Sequence, residues 1–154
     1  MTRAIILLML GLSVMLTLGT SARNAQAQPT STVLLPTLLA YAGGHAIRDI
    51  TLSPASPAVL LNMQPVTATF RYHTTEAAGI RIWALPYRQG AVAPGYMYQG
   101  SDIEPPAYGR QISRWASIIT GSTTVDAIHL VMRTADATLV LFETDVAVSF
   151  SFGP

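Results

Sequence analysis

The strongest constraint on this chain is an alternation of apolar and polar residues with a period of two, which recurs in four separate runs. In the clearest run, residues 66–72, one side carries Val66, Ala68, Phe70 and Tyr72. Successive side chains of a β-strand point to opposite faces, so this pattern predicts strands with one face in a core. No segment repeats its apolar residues every 3.6 positions between helix caps, so we expect no helix longer than a single turn.

Seven segments carry strand signals and are separated by clusters of Gly, Pro and Asp. They are residues 46–52, 66–72, 80–85, 96–99, 110–120, 125–133 and 138–152. We expect turns at 53–57 and 134–137, and a bulge or kink where acidic residues 143–145 interrupt the last strand. The pattern predicts an all-β fold, a two-sheet immunoglobulin-like sandwich of about seven strands with Greek-key connections. Its predicted core includes Phe70, Ile80, Ile82, Ile128, Leu130, Val148 and Phe150.

The first 27 residues have the pattern of a secretory signal peptide. Arg3 and the amino terminus are positively charged, residues 4–18 are largely apolar, and Ala25-Gln26-Ala27 fits a small-x-small cleavage site. A membrane-spanning helix needs ~20 apolar residues, and this run is short and interrupted. We therefore expect cleavage near Ala27 and a secreted or cell-envelope exterior location, with a retained membrane anchor as the alternative. The predicted organisation is signal peptide 1–27, linker or N-terminal arm 28–44 and β-sandwich domain 45–154.

The N-terminal arm contains an apolar stretch, residues 33–39, that Pro36 interrupts. One interpretation is a strand-like arm that packs loosely on the domain. The other is a donor strand that inserts into the open sheet edge of a neighbouring copy.

Composition excludes several classes of function. Half of the residues are hydrophobic and 11% are charged, which excludes a disordered chain. Cysteine is absent, so thiol chemistry and cysteine-based metal sites are impossible. All nine cationic side chains are Arg, and loss of Arg3 and Arg23 with the leader leaves seven against eight Asp and Glu, a net charge of −1. No basic run exists, so nucleic acid is not an expected partner.

The chain carries no recognisable catalytic or metal-binding motif. Its three histidines, His45, His73 and His129, have no ligand-like spacing to one another or to a carboxylate. Asp102 and Glu104 share one loop, but a Ca²⁺ site needs six or more oxygens, so we expect a solvated loop. A nucleophile elbow and a phosphate-binding loop are both missing. We expect no enzyme activity, no cofactor and no metal.

Aromatic and Arg residues form the candidate binding surface. If Ile80 and Ile82 face the core, Arg81 and Trp83 face outward. The same alternation in 125–133 turns His129 and Arg133 outward, and these two strands are neighbours in an immunoglobulin-like sheet. Nearby loops would add further aromatic rings, those of Tyr87, Tyr96 and Tyr98. The alternative is that Trp83 faces inward, like the strand-C tryptophan of antibody domains.

Four segments resemble a module of exported bacterial proteins. They are residues 50–57, 64–72, 79–86 and 125–136, and the resemblance covers roughly residues 48–152. Such modules are immunoglobulin-like or fibronectin-III-like sandwiches, often appended to other domains. The resemblance implies a fold and an exported location and transfers no catalytic residue.

Together these features predict a non-catalytic secreted module for binding or adhesion. Its expected partner is a polysaccharide or a cell-surface protein, because exposed aromatic rings beside Arg suit stacking and hydrogen bonding. No membrane span is expected after cleavage of the leader. The alternative function is a structural or assembly subunit that pairs through its edge strands or its N-terminal arm.

Overall fold

The structure, a computed structural model, describes residues 44–154, so the predicted leader and nearly all of the predicted arm lie outside the described residues. These residues form eight strands and no helix, which confirms the predicted all-β fold. The strands are β1 (Ala46–Ser53), β2 (Ala58–Leu61), β3 (Val66–Thr74), β4 (Ile80–Arg88), β5 (Ala91–Val92), β6 (Ala107–Ala116), β7 (Thr123–Thr134) and β8 (Val140–Gly153). No helix in this part of the chain could cross a membrane.

The strands form two sheets, which confirms the predicted sandwich. One sheet has three strands in the order β1-β3-β6, and the other has five in the order β2-β8-β7-β4-β5. All pairs are antiparallel except β2 with β8, which is parallel. The chain changes sheet at five connections, β1–β2, β2–β3, β3–β4, β5–β6 and β6–β7.

The core lies between the sheets and is built by the inward residues of the alternating runs. In β3 and β4 every second side chain is buried, because one face of each sheet packs on the other sheet. In β7 the buried positions change phase after Val125, and beyond it Ile128, Leu130 and Met132 face the core. Of the seven predicted core residues, six are buried and Val148 is partly buried against them. The predicted core is therefore confirmed.

Three details of the strand prediction are wrong. Two short strands, β2 and β5, were not predicted, because four and two residues are too few to display a period. Residues 96–99 form no strand, and only Tyr96 makes an isolated bridge, to Ile118. Residues 117–120 lie beyond the end of β6, although the predicted strand included them.

The predicted bulge at residues 143–145 is also wrong. Glu143, Thr144 and Asp145 pair in regular register with β7. The extra residues of β8 lie on either side, between Val140 and Phe142 and between Ala147 and Phe150. The acidic side chains need no bulge because alternation already turns both of them to the outer face of the sheet, where they are exposed.

The connection between β5 and β6, residues 93–106, closes one side of the sandwich. Near its end, Glu104 exchanges two backbone hydrogen bonds of 2.7 and 2.9 Å with Ile80 at the edge of β4. Near its start, the Ile119 N–H donates to the Gly95 carbonyl at 2.8 Å, just beyond β6. This segment is therefore held beside both sheets and reaches the outer surface of β4.

Candidate functional site

The strand register places the predicted surface residues on the outer face of the five-stranded sheet. Arg81 lies opposite Arg133, and Trp83 lies opposite Val131. Trp83 is half-buried on this face, while Ile82 beside it is fully buried in the core. The alternative prediction of an inward Trp83 is wrong, because the small and branched inward residues of β4 fill the space between the sheets.

A pocket of about 190 Å³ opens on this face. Its walls combine two aromatic rings, three apolar side chains and one guanidinium. It is lined by Trp83, Leu85, Tyr98, Val131, Arg133 and Ala137.

Two surface segments form the walls of the pocket, and side chains of β4 hold both. The Trp83 indole Nε1–H donates to the Gln99 carbonyl at 3.1 Å. Arg81 donates from Nη1 to the Ser101 carbonyl and from Nε to the Ala135 carbonyl, the second at 2.7 Å. Arg81 therefore joins the 93–106 connection to the β7–β8 hairpin, and its primary role in this face is structural.

The β7–β8 hairpin supplies the opposite wall. Arg133 donates from Nη1 to the Ala137 carbonyl at 3.2 Å, which leaves further guanidinium donors beside the pocket. Ala137 has a φ of +63°, an unusual conformation for a residue with a Cβ, and it tightens the turn after Thr134. The Asp136 carboxylate accepts hydrogen bonds from the Thr134 hydroxyl and from the backbone and hydroxyl of Thr138, and these bonds lower the pKa of its carboxyl.

A stacked pair lies next to the pocket on the same face. The His129 and Tyr87 rings are 4.4 Å apart and nearly parallel, at 13°. His129 Nδ1 is 2.8 Å from Asp145 Oδ1, and its Nε2 is 3.7 Å from Glu143 Oε2. Burial raises the pKa of Tyr87, and the charges of Asp145 and Glu143 raise it further. His129 lies opposite Leu85 in the register and is adjacent to the pocket without lining it.

The three predicted tyrosines have different positions. Tyr98 stands at the rim of the pocket and is 75% exposed. Tyr87 belongs to β4 itself rather than to a loop. Tyr96 packs against the core, and burial raises its pKa, so it is not part of the outer surface.

The structure thus brings Trp83, Arg133 and Tyr98 together in the pocket, while Arg81 holds its walls. Of the other lining residues, Leu85 and Val131 follow from the same alternation, although the sequence analysis did not assign them to the site. Ala137 had no sequence signal, because its place depends on how the hairpin folds back over the sheet.

The expectation of a solvated acidic loop is wrong for Glu104, whose side chain is only 12% exposed. Glu104 pairs with Arg114 at 2.7 Å and with Arg110 at 3.8 Å, so both carboxylate oxygens face arginines. Asp102 is exposed. Within residues 44–154, no group of three or more His, Asp or Glu side chains is arranged to hold a metal ion.

Comparisons with protein-family models, with curated proteins and with solved structures found no match to this chain.

Proposed function

We propose that this protein is an exported, non-catalytic binding module whose pocket on the five-stranded sheet takes one sugar ring of a polysaccharide. The observation that carries the proposal is the pairing of half-buried Trp83 with exposed Tyr98 around a small pocket that contains the guanidinium of Arg133. Aromatic residues and Arg are the residue types enriched at the energetic centres of binding surfaces.

The size and lining of the pocket favour one ring of an extended ligand. Pockets for complete drug-sized ligands have volumes of ~300–1,000 Å³, and this one is smaller. The apolar C–H face of a sugar can lie against Trp83 or Tyr98. The remaining donors of Arg133 suit hydroxyl or carboxylate oxygens at the edge of the ring.

The exported, immunoglobulin-like character belongs to the same proposal. The leader-like residues 1–27 support export. The strand order supports the fold assignment, since the neighbours β8, β7 and β4 correspond to the G, F and C strands of immunoglobulin sheets, and β1, β3 and β6 to A, B and E.

The test is a glycan array followed by titration of the mature chain with the best-bound oligosaccharide. The chain has two tryptophans, so Trp115→Phe leaves Trp83 as the single indole fluorophore. We expect ligand to change its emission. Tyr98→Ala should weaken binding about tenfold or more, because loss of a central aromatic anchor is costly.

Two controls make this test decisive. Trp115 lies on the three-stranded sheet, so Trp115→Ala should bind like the wild type. Trp83→Ala also removes the hydrogen bond to Gln99, so its melting temperature must be measured beside its affinity. Unchanged affinity in Tyr98→Ala and in a folded Trp83 variant would refute the proposal.

One observation favours assembly as a second candidate function. Strand β2 is an edge of the five-stranded sheet and has β8 as its one partner strand, and its Val59 and Leu61 are 86% and 64% exposed. Exposed apolar edge strands pair readily with other strands. If the mature chain sediments as a dimer and Val59→Lys converts it to a monomer, the assembly function gains; a concentration-independent monomer would exclude it.

A further inference from the structure

A second cluster of cationic and aromatic side chains lies on the outer face of the three-stranded sheet, on the side of the sandwich opposite the pocket. Arg48 of β1 and Arg71 of β3 are directly opposite in the register. Like charges in this position repel each other. Asp49 is the carboxylate that approaches them, 3.8 Å from the Arg71 Nε, and both side chains of that pair are about half exposed.

Both strands that flank β3 bulge at this level. The register of β1 shifts by one residue between Arg48 and Thr51, where Asp49 has a φ of +54°. The register of β6 shifts at Gly109, which has a φ of +75°. Bulges redirect side chains and are frequent beside binding sites, and here they frame a single patch of the sheet.

The two guanidinium groups converge on Gly109. Arg71 donates from Nη1 to the Gly109 carbonyl at 2.9 Å. A Cβ on Gly109 would lie 2.8 Å from Nη2 of Arg48, so the absence of a side chain leaves the space that this guanidinium occupies. The Arg48 Cζ lies 5.6 Å from the centre of the Tyr108 ring, and His73 meets the same ring edge-on at 4.7 Å.

Arg48 has unused hydrogen-bonding capacity. Its Nε is buried without a hydrogen-bond partner, and within residues 44–154 the guanidinium forms no ion pair. A buried donor without a partner is uncommon in folded proteins and calls for an explanation. An anion placed between Arg48 and Arg71 would relieve their repulsion and supply acceptors for the guanidinium donors that remain.

We propose that this cluster binds the carboxylate or sulfate group of an acidic polysaccharide, with the sugar ring on Tyr108. Guanidinium groups match the oxygens of carboxylate and sulfate, which can accept two parallel hydrogen bonds. The Tyr108 ring is 72% exposed beside Arg48, so a flat ligand can reach it. This site is separate from the pocket of the five-stranded sheet and does not depend on that pocket's function.

Binding of the mature chain to polygalacturonate, dextran sulfate and neutral dextran tests the proposal. We expect one or both anionic polymers to bind and neutral dextran not to bind, and the comparison of the two anions distinguishes carboxylate from sulfate. Arg48→Gln and Arg71→Gln should each lower the affinity about tenfold, because charge-assisted hydrogen bonds are lost. Arg88→Gln is the matched control, because it removes the same charge at an exposed position of the other sheet. Its effect should stay within about twofold, as for a surface charge distant from the ligand.

Three results would overturn the proposal. They are equal loss of affinity in Arg88→Gln and Arg48→Gln, equal binding of neutral dextran, and unchanged affinity in Arg48→Gln. If Arg48→Gln does not fold, Tyr108→Leu provides the test, since its exposed ring contributes little to the core; unchanged affinity there would likewise refute the site. Tyr98→Ala should leave anion binding intact, so failure of this site and failure of the pocket can be told apart.

Discussion

The outer faces of the two sheets carry the same motif with different surroundings. Each face has two arginines directly opposite on neighbouring strands, Arg81 with Arg133 on one and Arg48 with Arg71 on the other. The first pair donates hydrogen bonds to three carbonyls of the surface segments that cover its sheet. The second pair donates to one carbonyl, that of Gly109.

The role of an arginine pair on these faces depends on which segments cover it. On the five-stranded sheet, the 93–106 connection and the β7–β8 hairpin cover the outer face. Val131, which points outward, is therefore only 5% exposed. On the three-stranded sheet no segment of the described chain covers Tyr108, which stays exposed. Arg81 and Arg133 therefore use their donors on backbone carbonyls of the fold. Arg48 and Arg71 keep guanidinium donors that a ligand could use.

The largest expected effect is on the core that the two faces share. Phe70 is fully buried between the sheets, so Phe70→Ala should lower the free energy of unfolding by about 3–5 kcal/mol. Thr67→Ala, an outward position on the same strand, should have a small effect. Chemical denaturation measures both. If Phe70→Ala melts like wild type, Phe70 is not a core residue and the assigned register of β3 fails.

The stability lost in Arg81→Gln, compared with that lost in Arg71→Gln, tests the difference between the covered and the open face. Arg81 bonds two carbonyls on different segments, so its loss should cost about 2–3 kcal/mol of stability. Arg71 is half exposed, so its loss should cost less than about 1 kcal/mol. Hydrogen exchange should show faster opening of residues 95–101 in Arg81→Gln. Equal costs for the two substitutions would remove the distinction between a covered and an open face.

The hairpin wall of the covered face should be sensitive to acid. The hydrogen bonds from Thr134 and Thr138 lower the pKa of Asp136 below its usual 3.8. The contribution of this carboxylate to folding stability is therefore fully present above pH 3.8 and is lost as the pH falls through the lower pKa of the folded state. In an NMR titration the Thr138 amide should shift as Asp136 is protonated. Asp136→Asn should abolish this shift, and a shift that persists in the variant would assign it to another group.

The smallest expected effect is at alkaline pH on the same face. Burial, followed by the charges of Asp145 and Glu143, raises the pKa of Tyr87 above 10.0. The neutral phenol is thus favoured in the folded state. Its contribution to folding stability is fully present below pH 10.0 and is lost as the pH rises through the folded-state pKa. Burial also raises the pKa of Tyr72. Tyr87→Phe should retain the stacking on His129. Above pH 10.0 the melting temperature of this variant should fall less than that of the wild type, but it should still fall. An unchanged alkaline loss would show that the environment of Tyr87 does not contribute to it.

Much of the fold was predictable because alternation is a local property. The runs in β3, β4 and β7 identify their inward residues correctly, since a strand with one buried face must alternate. Short strands were not predictable in this way. Strand β2 exists because β8 offers it a parallel partner, and Tyr96 packs against the core because the connection folds back against the end of β6. These are consequences of long-range contacts rather than of local pattern.

The candidate site likewise has some features that follow from local alternation and others that depend on long-range contacts. The period of two predicted that Arg81 and Trp83 share one side of their strand and that His129 and Arg133 share one side of theirs, because a strand residue has only two directions. That both pairs lie on one face of a sheet depended on β4 and β7 being neighbours, which the register establishes. Long-range contacts determine that this face is covered, that Arg81 joins the two segments that cover it, and that Tyr98 lies at the rim of the pocket. They also determine that Arg48 and Arg71 meet at Gly109. Whether an outward side chain meets solvent, a carbonyl or a neighbouring guanidinium depends on segments distant in the chain, and no local pattern records their positions.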